Sequence, residues 1–328
     1  MKIGIAGNGM IVRFCLDALQ EIEAIECTAI CVRKDAIEKG EKLAKTYGIG
    51  KIYTDYGAML KDAEIDFIYI GIVNSLHYEY AKKALEAGKH VIVEKPFTST
   101  LQEAVSLEKL SREKKLFLFE AITLLYSPNY QFIKEQLHLI GDIKLIQCNF
   151  SKVSSRYSDY AAGTVLPAFD PYYSGGALYD INIYNLHFVA GLLGMPQEVR
   201  YLANRGHNGI DTSGVVTLRY DQCPAVCCGA KDSDSDSFIT IQGERGFIRL
   251  DSPPNLADSV IVSIGQDKRT SNFNKVQNHM VNEFVAFAEM FRSGNYDECY
   301  QNLRHSVSVI DIACQARQDA GIRFAADE

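Results

Sequence analysis

The chain has 328 residues, 23% of them charged and 47% apolar, with a formal net charge of −7. That is an ordinary globular balance over a length sufficient for two domains. The negative charge argues against nucleic acid or an anionic membrane as the main partner, and no apolar run approaches the roughly 20 residues that span a bilayer. Nine cysteines, an odd number without paired spacing, point to free thiols in a reducing cytoplasm and to no metal site.

Met1-Lys2-Ile3-Gly4-Ile5 enters a strand directly, with no cleavable signal pattern. A strand over Ile3 to Ala6 is followed by Gly7-Asn8-Gly9-Met10-Ile11-Val12 and then by the helical pattern Phe14, Leu16, Leu19. Glycines at 7 and 9 permit a tight turn and close approach of the backbone to a pyrophosphate. The helix that follows turns its first N–H groups toward that anion. Gly7, Asn8, Gly9, Met10 and Ile11 are therefore candidate cofactor-binding residues, with Val12 standing where the dinucleotide fingerprint wants a third small residue. The second strand, Cys27 to Val32, ends in Val32-Arg33-Lys34 rather than in a carboxylate for a ribose hydroxyl. Two cations suit a 2′-phosphate, so Arg33 and Lys34 point to NADP, with NAD as the alternative.

Strand and helix then alternate. Lys51 to Tyr53 is a short strand, and Ile65 to Ile70 a fourth that runs into Gly71-Ile72-Val73-Asn74. A helix over His77 to Ala87 stops at Gly88. Val91, Ile92 and Val93 read as a fully buried strand that ends abruptly at Glu94-Lys95-Pro96. A carboxylate and an ammonium at the carboxyl end of a buried strand lie where open α/β sheets bind ligands, and Pro96 restricts the backbone of Lys95. Thr100 and Glu103 form a capping box for a helix through Lys114, and Leu116 to Phe119 is one more strand. Repeated β-α-β units of this length give a parallel, doubly wound sheet ending near Ala121.

These residues resemble the glucose–fructose oxidoreductase, inositol dehydrogenase and rhizopine-catabolism (Gfo/Idh/MocA) family of NAD(P)-dependent oxidoreductases. The likeness rests on Gly7-Asn8-Gly9, Tyr53-Thr54-Asp55, Asn74-Ser75-Leu76-His77, and Gly88-Lys89-His90-Val91 running into Glu94-Lys95-Pro96. The resemblance implies a catalytic-site role for Lys95, near the nicotinamide and the substrate hydroxyl, with Gly71, Asn74, His77 and Glu94 along the cofactor.

In the carboxyl-terminal half, Lys144 to Phe150 is a strand, and Ser174-Gly175-Gly176-Ala177-Leu178-Tyr179-Asp180 opens a helix to Leu193 that stops at Gly194. Asp180 and Tyr184 are four apart and share a face of that helix, with His187 on nearly the same stripe. Gly175-Gly176-Ala177-Leu178 with Asp180 and Tyr184 is similar to the family's second motif, in the form that resembles dimeric dihydrodiol dehydrogenases. Asn182 stands there in place of a usual glycine, and Leu125 where such relatives often carry a substrate-facing arginine. Strands follow at Gly214 to Tyr220, Ala225 to Ala230, Phe238 to Gln242 and Gly246 to Leu250. Asp232 to Asp236 reads as a solvated hairpin end, and Cys223, Cys227 and Cys228 as packing residues. Helices over His279 to Arg292 and Leu303 to Ala320 read as scaffold.

The expected architecture is α/β plus α+β. Residues 1–121 form a cofactor-binding Rossmann domain. Residues 122–328 form a substrate-binding and oligomerisation domain with a large, open, mostly antiparallel sheet and helices on one face. The expected activity is hydride transfer between NADP, or NAD, and a secondary alcohol or ketone of a sugar, polyol or dihydrodiol. Tyr184 would exchange the proton, Lys95 would hold the substrate oxygen and lower the tyrosine pKa, and Asp180 would position the donor. The alternative is a non-catalytic sensor that keeps the cofactor fold. The open sheet predicts a cytoplasmic homodimer or homotetramer.

Overall fold

Apolar runs without alternation form strands buried on both faces, and the amino-terminal half is built on that rule. The computed structural model describes Met1 to Glu328. Two compact units divide it, one of residues 1–121 with 276–307 and the other of 122–275 with 308–328.

The first unit holds β1 (Lys2–Ala6), β2 (Glu26–Cys31), β3 (Lys51–Tyr53), β4 (Phe67–Ile70), β5 (His90–Glu94) and β6 (Leu118–Ala121). All pairs are parallel, in the order β3-β2-β1-β4-β5-β6. This is the Rossmann order, and it places a topological switch point between β1 and β4. Ile3, Ile5, Phe67, Ile68, Ile70, Val91, Ile92 and Val93 are fully buried in the sheet. The capping box forms as expected: Thr100 Oγ1 accepts from Glu103 N–H, and Glu103 accepts from Thr100 N–H at 3.0 Å.

The stretch 276–307, read from the sequence with the second domain, groups with this first unit. Its helix Met280–Ser293 lays aromatic rings on the sheet. Phe287 stacks on Phe119 at 4.4 Å and Phe291 meets Phe67 edge-on at 5.0 Å. The next helix, Tyr296–Asp319, begins earlier than its apolar pattern suggests because Asn295 Oδ1 accepts from Glu298 N–H.

The second unit is an eight-stranded sheet in the order β14-β13-β12-β11-β7-β10-β9-β8. Its strands are β7 (Ile143–Ser151), β8 (Glu198–Arg205), β9 (Asp211–Arg219), β10 (Pro224–Ala230), β11 (Phe238–Gly243), β12 (Gly246–Leu250), β13 (Val260–Ile264) and β14 (Asp267–Ser271). Only the β7–β10 pair is parallel. Here the strands alternate: Ile146, Cys148, Val216, Leu218, Ile239, Ile241 and Ile248 are buried beneath the helix Ile183–Leu193 and its neighbours, whereas Gln147, Thr217 and Arg219 are exposed. Asp267-Lys268-Arg269-Thr270-Ser271 carries no apolar signal, yet it forms the edge strand, where charged side chains discourage pairing with another chain.

The helix expected from Ser174 onward is not regular. Leu178–Asn182 is a π-helical turn, and the α-helix proper begins at Ile183. The wider turn is fastened from outside the helix. Asp211 accepts from Leu178 N–H at 2.6 Å, and the Asn182 amide donates to Cys227 O at 2.9 Å.

Candidate cofactor and active site

The loop after β1 is shaped by what its glycines leave open. Gly7 has φ +123°, and a Cβ there would lie 2.3 Å from the Gly71 carbonyl oxygen. A Cβ on Gly9 would meet nothing within 4 Å. Gly9 is the N-cap of the helix Met10–Leu19, which has neither a side-chain cap nor an acidic residue in its first turn. The Asn8 side-chain amide nitrogen is buried with no hydrogen-bond partner. A tight loop, an uncapped helix start and an unsatisfied buried donor together fit the pyrophosphate of a dinucleotide. Val12 is accommodated because Gly71 faces it: a Cβ on Gly71 would lie 2.9 Å from the valine methyl.

Arg33 and Lys34 follow the buried end of the second strand. The Arg33 guanidinium is 84% exposed and lies 3.3 Å from Asp35, an exposed pair of small energetic weight. Asn74 opens the short turn after β4.

His77 is fully buried, with Nδ1 2.8 Å from Pro96 O and Nε2 3.2 Å from Ile72 O. The ring thus ties the loops after β4 and β5 together, and burial lowers its pKa. Lys95 is the half-buried exception in an otherwise buried stretch from Val91 to Thr100. Below it, Glu94 is buried and accepts from Tyr69 Oη at 2.6 Å. Desolvation pushes the Glu94 carboxyl up to about 7, against the lowering influence of Tyr69 and the Lys95 charge. Glu120 on β6 accepts from Phe97 N–H at 2.9 Å.

Glu283, from the helix Met280–Ser293, is also fully buried, and neither carboxyl oxygen has a hydrogen-bond partner. Burial first, then the charges of Glu94 and Glu120, hold its carboxyl well above the usual range. Sequence reasoning missed Tyr69 and Glu283. A glutamate among the apolar residues of a terminal amphipathic helix was the only available signal.

In the second unit, the double glycine does what its position suggests. A Cβ on Gly175 would lie 2.6 Å from Pro167 O, and one on Gly176, at φ +102°, would lie 2.1 Å from Asp211 Oδ1. The helix start therefore packs directly on the 167–168 backbone and on a buried aspartate. Asp180 and Tyr184 are both half-buried, and the Tyr184 ring lies 6.1 Å from that of Phe150. His187 is fully buried. Asn182, where the family usually has glycine, fits because Gly229 faces it, a Cβ there lying 2.7 Å from the asparagine Cβ. A third residue the sequence did not reveal is Lys231, whose ammonium is 2.7 Å from Asp180 Oδ2.

Residues 1–121 match the profile described as an oxidoreductase family with an NAD-binding Rossmann fold, and 133–249 match the GFO/IDH/MocA C-terminal domain. The chain belongs to the GFO/IDH/MocA oxidoreductase family. It is accordingly an NAD(P)-dependent enzyme, which sets aside the non-catalytic sensor. The oxidoreductase is 29% identical over 330 residues to the NADP(+)-dependent scyllo-inositol 2-dehydrogenase IolU of Bacillus subtilis, covering 100% of this chain and 99% of that one. It is 27% identical over 335 residues to the trans-1,2-dihydrobenzene-1,2-diol dehydrogenase of Xenopus tropicalis, covering 98% and 99%. Its fold matches that of KijD10, a 3-ketoreductase from Actinomadura kijaniata solved with NADP and TDP-benzene. The TM-score is 0.83 at 22% identity, covering 99% and 98% of the two chains.

Proposed function

We propose that the oxidoreductase uses NADP to interconvert a secondary alcohol and a ketone on a sugar, polyol or dihydrodiol. The first unit would bind the cofactor and the second would supply substrate-binding and proton-exchange groups. What carries this reading is Lys95, half-buried at the carboxyl end of β5 in the same sheet whose β1 loop is shaped for pyrophosphate. Gly7, Asn8, Gly9, Met10 and Ile11 would hold the pyrophosphate. Arg33 and Lys34 would hold a 2′-phosphate, and Gly71, Asn74, His77 and Glu94 would line the remainder. When bound, the cofactor would supply the hydride acceptor or donor. Tyr184 exchanges the hydroxyl proton, Lys95 stabilises charge on the same oxygen, and Asp180 orients the tyrosine. A screen of sugars, polyols and trans-dihydrodiols, followed by reduced-nicotinamide absorbance, tests the assignment. Cofactor binding without turnover on any of them would count against it.

Cofactor choice follows from the end of β2. With Val32 supplying no carboxylate at the strand end and two cations at Arg33 and Lys34, we expect tighter binding of NADPH than of NADH. Fluorescence titration of both decides it. Equal affinities, or an unchanged ratio in Arg33→Ala, would refute the phosphate role.

The oxidoreductase is further proposed to be cytoplasmic and a homodimer or larger closed oligomer through its second sheet. No helix is long and apolar enough to cross a membrane. On the face opposite the helices, register brings together Leu145, Val215, Val226, Phe247 and Ile261, all partly exposed, with Leu202 at 77% exposure. Such a face favours self-association. Light scattering is expected to give at least twice the 36.6 kDa of one chain. A particle of one-chain mass at micromolar concentration would sink the proposal.

A further inference from the structure

We propose that Lys231 is a positioning residue that holds the Asp180 carboxylate, ionised and in one orientation, on the π-helical turn leading to Tyr184. The inference rests on the reading of Asp180 and Tyr184 as site residues.

Lys231 immediately follows β10, where an apolar strand gives way to the acidic stretch from Asp232, so it reads as a surface lysine. It is instead 1% exposed. Its ammonium lies 2.7 Å from Asp180 Oδ2, donates to Ala168 O at 2.6 Å and sits 4.3 Å from the centre of the Phe169 ring. These contacts occupy the cation, which is thus committed to holding protein groups in place. Removing an ammonium this completely from water is costly unless it is paired and hydrogen-bonded, as it is here.

The backbone around Lys231 is equally fixed. Its N–H donates to Thr212 O at 2.8 Å, and its carbonyl accepts from Ser154 N–H at 2.9 Å. The π-helical turn is a less favourable backbone than a regular helix and is found disproportionately at functional sites. Asp211 anchors its start through Leu178 N–H, and the Asn182 and Asn185 amides anchor its end to the Cys227 and Cys228 carbonyls. Asp180 lies between these anchors, and Lys231 fastens its side chain.

Other ionisable groups surround the pair. Asp211 is buried, accepts from Tyr201 Oη at 2.8 Å and feels the Lys231 charge. Asp232 follows on the chain, and Tyr184 and His187 lie further along the helix.

The test uses the full-length protein as Lys231→Met, Asp180→Asn and the double variant. NADPH affinity is read by fluorescence, and kcat and kcat/KM are read against pH with the substrate from the screen. Lys231→Met should keep NADPH affinity within about twofold and lower kcat by about 10- to 100-fold, the scale of a misplaced group near the chemistry. Without its counter-charge the carboxylate takes a proton more readily, so the acid limb of kcat/KM should move to higher pH. The double variant should be no slower than Asp180→Asn by more than about twofold, since the two residues act as one unit. Additive losses, or an unmoved acid limb in a folded Lys231→Met, would overturn the inference. If Asp180→Asn turns over normally, both the reading of the site and this inference fall. If it is impaired while Lys231→Met has native turnover and pH profile, only the inference falls. Should Lys231→Met not fold, the double variant decides, because it buries no unpaired ion. Folding with Asp180→Asn-like activity supports the positioning role, and failure to fold marks Lys231 as scaffold.

Discussion

Tyr184→Phe is expected to lower kcat by about 10² to 10⁴-fold, the usual contribution of a positioned acid–base group. The substitution removes one hydroxyl and keeps the ring that packs near Phe150, so folding and cofactor affinity should survive. Lys95→Ala should cost at least as much, because it removes the cation proposed to stabilise charge developing on the substrate oxygen. It should also push the Glu94 carboxyl still higher, since the Lys95 charge is one of the influences now lowering it. The two losses should not add, since the proposed roles have both groups acting on one oxygen. Steady-state kinetics of the single and double variants measures all three. Near-normal turnover in Tyr184→Phe would show that the proton travels elsewhere. His187, fully buried on the same helix, would then be the next residue to replace.

The second large effect is on stability. Glu94 and Glu283 are carboxyls whose folded-state pKa is raised by burial, Glu94 to about 7 and Glu283 well above its ordinary value. In the window between the unfolded value, about 4.5, and the folded values, the native state binds more protons than the unfolded chain. Stability from these groups is therefore fully present below the unfolded pKa and lost as pH rises through about 7 and beyond. A tenfold difference in proton affinity between the folded and unfolded states is worth about 1.4 kcal/mol, so the loss from Glu94 alone by alkaline pH is on the order of a few kcal/mol.

Glu283→Gln keeps the side-chain shape and removes the titration. We expect it to unfold much like the parent near pH 5 and to be more stable than the parent near pH 8, because the buried carboxyl no longer has to ionise. Denaturant unfolding of the cofactor-free protein at the two pH values checks this. A variant less stable than the parent at both would mean that the Glu283 carboxylate has a stabilising role as an ion.

Local chemistry made the first unit legible. The β-branched, unalternating run Val91-Ile92-Val93 favours a strand buried on both faces, and a left-handed backbone at Gly7 is open to few residues besides glycine. Thr100 and Glu103 satisfy each other's backbone within one turn, and Lys95 is marked by ending an apolar strand. In each case the determining contacts lie a few residues apart.

Other features depended on segments distant in the chain. Asp180 and Tyr184 were recognisable at helical spacing, but the π-helical turn that carries Asp180 is set by Asp211 and by the carbonyls of β10. Lys231 has the local sequence of a surface residue, and its commitment to Asp180 exists only because β10 ends beside the 167–169 backbone. Glu283 looks like one charge on an amphipathic helix until that helix packs on the Rossmann sheet and closes it off from water. The ionisation of a carboxyl or an ammonium depends on every group that replaces its water, and those groups come from wherever the fold brings them.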